Sequence, residues 1–220
     1  MKLYDFHTHT SAISLCCRLS REQVVAALKA EGTDGLVLTN HYAPRHVNLP
    51  FEEWLLKYQK EFELTKEAAE KEGISALFGM EVTIEGRDFL IYGLPSSALF
   101  ESEKPLFDYT LSELHAFVNE RGGLLVHAHP FRSKGSPVDG ALVDGYEINC
   151  HPLYGYSYAK EVHELCDGRA LITCGSDYHG DTYKPKCGVY LPDGLQSEEE
   201  LAAFLKSGQP ALFEHTIVKG

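Results

Sequence analysis

Lysine and arginine are scarce in this chain: 20 of them stand against 32 aspartates and glutamates, for a formal net charge of −12. Binding to a polynucleotide backbone is driven by clustered Lys and Arg, so extended nucleic acid is excluded as a partner, whereas a small anion captured locally by metal ions is not. No run of about 18 apolar residues exists to span a bilayer, and the opening residues lack the basic flank, apolar stretch and cleavage site of a secretion signal. A membrane partner is therefore not expected, and the protein is expected in the cytoplasm. Nor is there a Cys-x-x-Cys pair: Cys16, Cys17, Cys150, Cys166, Cys174 and Cys187 are expected to be mostly reduced, buried small apolar residues rather than a disulfide framework. Internal repeats, low-complexity tracts and linkers are absent too. What remains is ordinary globular composition, 44% hydrophobic and 24% charged over 220 residues, expected to form one domain spanning 1–220. Composition leaves the oligomeric state open.

What is present is organised around Asp5-Phe6-His7-Thr8-His9. Leu3, Tyr4 and Phe6 predict a short buried strand, and alternation along it puts His7 and His9 on one side, where two imidazoles can converge on a cation. Ser20 caps a helix over 21–30, with Gln23 at the capping-box position. The apolar run Gly35 to His41 predicts a strand buried on both faces, and 50–71 a long amphipathic helix. A strand over 75–83 carries Glu81, and Glu85-Gly86-Arg87-Asp88 predicts a hairpin turn into a strand from Phe89 to Gly93. Then follow a helix over 110–121, strands over 124–129, 145–150 and 170–177, and a helix from near Tyr156 to Cys166. Last come a strand over 188–191, a helix over 197–206 with Ser197 as cap and Glu200 in the box position, and a strand over 210–214. Strands alternating with helices predict an α/β chain with a mainly parallel sheet, roughly seven strands of which close into a barrel; its chemistry is expected at the C-terminal strand ends.

Those strand ends carry His7 and His9, His41, Glu81, His127 and His129, Glu147 and Asn149, then Asp177 and His179. A buried histidine commonly satisfies a carbonyl and a buried carboxylate commonly pairs with an arginine, which accounts for one or two of these but not for all. With Arg and Lys scarce nearby, Glu81 and Asp177 need cations as countercharge.

The ordered set His7-x-His9, Thr39-Asn40-His41, Gly79-Met80-Glu81, His127-Ala128-His129-Pro130 and Gly175-Ser176-Asp177-Tyr178-His179 resembles the polymerase and histidinol phosphatase (PHP) domain family over essentially the whole chain. The resemblance implies a distorted seven-stranded (β/α)7 barrel, a cluster of two or three divalent metal ions (zinc, manganese or iron rather than magnesium) and phosphoesterase activity. It implies that His7, His9, Glu81 and Asp177 hold a first ion, that Glu81 bridges to a second bound by His129, and that His41 and His179 hold a third. The matching position of His127 is usually apolar, so a structural role is assigned to it. Two positions depart from the family: Leu15 stands where a third histidine usually follows the first pair, and Leu94 where another ligand often follows Gly93. A thiolate from Cys16 or Cys17 is the available replacement at the third ion, and it would favour zinc or ferrous iron.

The expected reaction is hydrolysis of a small phosphomonoester, of the histidinol phosphate or nucleotide kind, by a hydroxide held between two ions. Arg132 and Arg45 are candidates for the cation facing the phosphoryl oxygens, and Asp177 or His179 for the acid that protonates the leaving alkoxide. Two alternatives stand beside this: a metal-binding regulatory module with reduced catalysis, and hydrolysis of a nonphosphate bond as in amidohydrolase barrels.

Overall fold

The computed structural model describes residues 1–132, 137–151, 158–168, 170–180 and 186–213. Among these residues ten strands form: β1 (Lys2–Thr8), β2 (Gly35–Leu38), β3 (His41–Tyr42), β4 (Ser75–Ile84), β5 (Arg87–Tyr92), β6 (Leu124–His127), β7 (Gly145–Asn149), β8 (Leu171–Gly175), β9 (Gly188–Leu191) and β10 (Ala211–Phe213). Five α-helices join them: α1 (Arg21–Ala30), α2 (Phe51–Lys71), α3 (Leu111–Glu120), α4 (Ala159–Cys166) and α5 (Glu198–Lys206). The expected helix start near Tyr156 and the expected strand end at Glu214 lie outside the described residues. None of the described helices is long and apolar enough to cross a membrane.

Nine strands follow the order β10-β9-β1-β2-β4-β5-β6-β7-β8, with β3 pairing beside β4. The chain is mixed α/β, and the sheet curls until its ends nearly meet. Thr8 bridges Tyr178, and the Asp177 N–H donates to His7 O at 2.8 Å. Closure stays incomplete because β1 shares its second edge: Lys2–Tyr4 pairs with β9, leaving only the far end for the segment after β8. The antiparallel hairpin expected after Glu81 is present. No helix separates β4 from β5, since Glu85 (φ 50) and Gly86 (φ 76) make a tight turn that sends β5 back antiparallel to both β4 and β6.

Local chemistry explains the helices. Ser20 accepts from the Gln23 N–H and the Gln23 side chain returns to the Ser20 N–H, a complete capping box. At α5, Ser197 accepts from the Glu200 N–H, but the Glu200 carboxylate takes the N–H of Gln196 instead of the cap's own, so the box expected there is half formed. Removing the first cap by Ser20→Ala should lower stability by about 1 kcal/mol, read from the midpoint of urea unfolding.

Apolar burial has two layers. Outside the sheet, Tyr58 and Phe62 of α2 pack on Phe78 of β4, and Trp54 packs on Tyr58. Inside, Phe6, Leu90, Tyr92 and Val126 are fully buried together with Leu201 and Leu205 of α5, which stoppers that end. Polar residues collect at the opposite end.

Candidate metal centre

Several backbone features aim the polar residues at one point. The β1–β2 register shifts between Asp5 and Thr8, and such an irregularity re-aims side chains. Phe6 stays in the apolar interior while the next residue, His7, also turns inward, which strict alternation would not give. β8 comes close enough to complete the site because Gly175 has no side chain: a Cβ there would lie 2.3 Å from His7 Cβ. Asp5 holds this junction, accepting from Ser176 N–H at 3.0 Å and Ser176 Oγ–H at 2.5 Å. His129 (φ 33) and Asp177 (φ 52) both adopt the left-handed region that such residues rarely enter. This is why the ladders of β6 and β8 end earlier than the sequence pattern predicts. His41 reaches the centre from β3, in register with Glu81 of β4.

Glu81, fully buried, is the hub. Its Oε1 lies 3.3 Å from His7 Nε2 and 3.2 Å from His129 Nε2, and its Oε2 lies 3.5 Å from His9 Nε2 and 2.5 Å from His41 Nδ1. Asp177 Oδ1 is 3.4 Å from His7 Nε2, 3.1 Å from His9 Nε2 and 3.2 Å from His179 Nδ1. An ion with ligands about 2.1 Å away has ligand–ligand edges of about 3.0–3.4 Å, the separations most of these atoms already keep. His7 Nε2, His41 Nδ1 and Glu81 Oε2 are buried and, although they lie close to one another, make no well-aligned hydrogen bond among the described residues. Buried polar atoms are costly when unpaired, and a divalent cation between these would satisfy all three. The residues present therefore fit a metal site.

Charge tells the same story. Burial alone would raise the Glu81 and Asp177 carboxyls, but His41 and His7 carry Glu81, and His7 and Arg132 carry Asp177, well below the usual carboxylate range. Burial would likewise lower His7, yet Glu147, Asp177 and Glu81 hold it well above an ordinary imidazole. His41 rises to about 9 against its burial, chiefly through Glu81, and His179 to about 10 through Asp177 and Cys16. His9 goes the other way, driven well down by burial and by the charges on His179 and His41. Protons on three imidazoles supply the positive charge that ions would otherwise bring.

Among the described residues four overlapping groups have ligand atoms within 4.8 Å of one another around this point: His7, His9 and Glu81; Glu81, Asp88 and His129; His9, His41 and His179; and Cys16, His41 and His46. Asp88 and His46 went unread in the sequence. Asp88 was hidden in a hairpin turn; it lies instead on β5, with Oδ2 3.8 Å from His129 Nε2, and it offers a carboxylate beside His129 where the family's usual ligand after Gly93 is replaced by Leu94. Leu94 itself is core. His46 likewise offers an imidazole near the position where Leu15 stands. Leu15 turns its side chain to solvent and donates its N–H to His46 Nδ1 at 3.0 Å, so the imidazole comes from the segment after β3.

The two adjacent cysteines divide. Cys16 Sγ sits 3.2 Å from His179 Nε2, and although burial raises its thiol, His179 and His41 bring it down to about 6, so thiolate is available. Cys17 faces away, its Sγ–H directed at His9 O (3.4 Å) and Leu19 O (3.8 Å), and burial pushes it up to about 11. The expectation of Cys17 as a ligand is corrected by this orientation.

Arg132 donates through Nη1 to Asp177 Oδ2 at 2.5 Å and through Nη2 to Asn149 Oδ1. Asp177 is thus not without a protein countercharge, as the scarcity of Arg and Lys nearby had suggested. Arg45 donates to His46 Nε2 at 3.0 Å. His127 stacks on Phe89 with ring centroids 5.1 Å apart and accepts from the Val138 N–H, away from the carboxylates. Glu147, gathered from the sequence without a role, accepts from His129 N–H at 2.9 Å and Asn149 Nδ2 at 3.1 Å and lies 2.7 Å from His7 Nδ1. A carboxylate on the outer ring nitrogen fixes which nitrogen faces a metal. Glu147→Ala should weaken metal affinity about 10- to 100-fold, measured by competition with a chromophoric chelator.

Above the cluster opens a cavity of about 360 Å³, whose walls include Arg45, Arg132, His151 and His179. An imidazole–carboxylate cluster at one mouth of a nearly closed α/β barrel is the arrangement that this fold and site define. No family model and no curated protein matches the chain. Solved structures do share the fold. PsfC from Pseudomonas syringae PB-5123 is 20% identical with a TM-score of 0.67, over 97% of this chain and 91% of that one. A putative metal-dependent phosphoesterase from Bifidobacterium adolescentis ATCC 15703 is 17% identical with a TM-score of 0.57, over 93% and 96%. An amidohydrolase from Chromobacterium violaceum, with bound sulfate and no metal, is 14% identical with a TM-score of 0.56, over 93% and 96%.

Proposed function

We propose that this protein is a metal-dependent hydrolase of small phosphomonoesters. The observation that carries the reading is the set of orphaned buried atoms around Glu81, beneath an open cavity that two arginines reach. His7, His9, Glu81 and Asp177 would hold one ion; Glu81, Asp88 and His129 a second; His41, His179, Cys16 and His46 a third. Imidazole, carboxylate and thiolate together suit zinc, ferrous iron or manganese better than magnesium. Such ions, when bound, lower the pKa of water to near neutrality and offset phosphoryl charge.

The chain's own side chains do the rest. Glu147 holds His7 through Nδ1, leaving Nε2 inward. Asp177 stays ionised, so the leaving alkoxide would take its proton from His179 Nε2, which Cys16 Sγ faces, when the third ion is not bound there, and from water when it is. Burial and the neighbouring His41 and Arg45 lower His46 to about 3, so it is neutral and has one acceptor nitrogen, which the Leu15 N–H and Arg45 both approach here and which an ion would take when bound. Arg45 is the one able to swing, and its guanidinium would clamp phosphoryl oxygens. Arg132, gripped by Asp177 and Asn149, contributes field and shape to the pocket wall. The acidic chain favours a small substrate over extended nucleic acid.

The fold neighbours include both a phosphoesterase assignment and an amidohydrolase, so the test covers both chemistries. Phosphate release from a panel of monoesters, with zinc, manganese or ferrous iron in protein of verified metal content, is the expected result. Turnover of amides or lactams with none of the phosphates would instead establish the amidohydrolase alternative. Turnover of neither would leave the regulatory module, against which the open cavity speaks.

A further inference from the structure

Half of the chain's six cysteines meet at a place remote from any role in the reaction. Cys150 follows β7, Cys174 lies on β8 and Cys187 precedes β9, and all three are buried in the apolar layer outside the sheet. Cys150 Sγ is 3.7 Å from Cys174 Sγ, Cys187 lies within hydrogen-bonding reach of both, and the three sulfurs fall within 4.8 Å of one another. The Phe213 carbonyl oxygen, on β10, is 3.6 Å from Cys174 Sγ.

We propose that Cys150, Cys174 and Cys187 form a second, structural metal site for a soft thiophilic divalent ion, zinc being the biological candidate. Zinc–sulfur bonds of about 2.3 Å give sulfur–sulfur edges of about 3.8–4.0 Å, close to the separation already present between Cys150 and Cys174. Two packed thiols would show the same contact. Convergence of a third sulfur from a separate segment, with a carbonyl oxygen beside it, is what tetrahedral ligation needs and hydrocarbon packing does not. On binding, each of the three thiols releases its proton to solvent, because a coordinating thiol is deprotonated, so three thiolates and the neutral carbonyl surround the divalent ion with one net negative charge. Burial holds Cys187 well above an ordinary thiol, so without an ion the cluster is neutral and slow to oxidise. The ion would tie together the ends of β7, β8 and β9, where the barrel wall parts and β9 crosses to β1.

The proposal is independent of the catalytic reading, and its test reads sulfur ligation only. Cys16→Ser removes the one thiol at the candidate metal centre. That variant is produced in medium supplemented with cadmium, whose bonds to thiolates absorb in the ultraviolet and whose stoichiometry native mass spectrometry counts. A thiolate-to-cadmium band in Cys16→Ser protein, reduced at least tenfold in Cys16→Ser/Cys174→Ala, is the expected result. Cys16→Ser/Cys187→Ala serves the same purpose if the first pair does not fold. No band in the Cys16→Ser protein overturns the site, as does a band that survives removal of Cys174 or Cys187.

Discussion

Glu81→Gln is expected to cut turnover about a thousandfold or more while leaving the circular dichroism spectrum unchanged. The carboxylate touches His7, His9, His41 and His129 and is the one carboxylate common to two of the four ligand clusters. Glutamine keeps the shape but removes the charge, and an amide bridges two cations poorly, so the loss reflects both a missing ion and lost electrostatic stabilisation. Elemental analysis distinguishes this from simple misfolding: the variant should hold fewer ions per chain than the parent. Normal metal content with normal turnover would remove Glu81 from the centre and the proposed reaction with it.

Chelation should have the second largest effect, and its size depends on pH. Ions bound at about a thousand times their Kd stabilise by about 4 kcal/mol, so stripping them should lower Tm by about 10 °C in a chain of this size. In the stripped protein His41 and His179 titrate near 9 and 10 and His7 well above its ordinary value. A raised folded-state pKa contributes stability that is complete below the unfolded value near 6.5 and vanishes as pH climbs through the folded value. Cys16, lowered to about 6, acts oppositely between its folded and unfolded values, but one thiol is set against three imidazoles. Stability of the chelated protein should therefore fall between pH 7 and 10, and adding zinc or manganese should flatten the decline. Calorimetric scans across that range decide it; a chelated protein equally stable at both ends would show that the imidazoles carry no such charge.

The sequence announced the centre better than its surroundings. His7, His9, His41, Glu81, His129, Asp177 and His179 could be gathered because each ends an apolar run, and a polar residue there has few reasons to exist. Asp88 escaped because a four-residue turn and a two-residue turn look alike in Glu-Gly-Arg-Asp, and the shorter one puts Asp88 into the ladder. His46 escaped because it belongs to no run; it is placed by a short 3-10 turn over Pro44–His46 and by a hydrogen bond from Leu15, which only tertiary structure supplies. Barrel curvature was legible from the alternation of strands and helices. The split edge of β1 was not, since pairing with β9 depends on where a distant segment returns.

The apolar plug of Phe6, Leu90, Tyr92 and Val126, sealed by α5, has a kinetic corollary. With that end shut, the cavity that would admit substrate in the proposed reaction is also the way out for both products. A departing product and an arriving substrate must then compete for the same doorway, so the acid or phosphate released in each cycle should act as a competitive inhibitor.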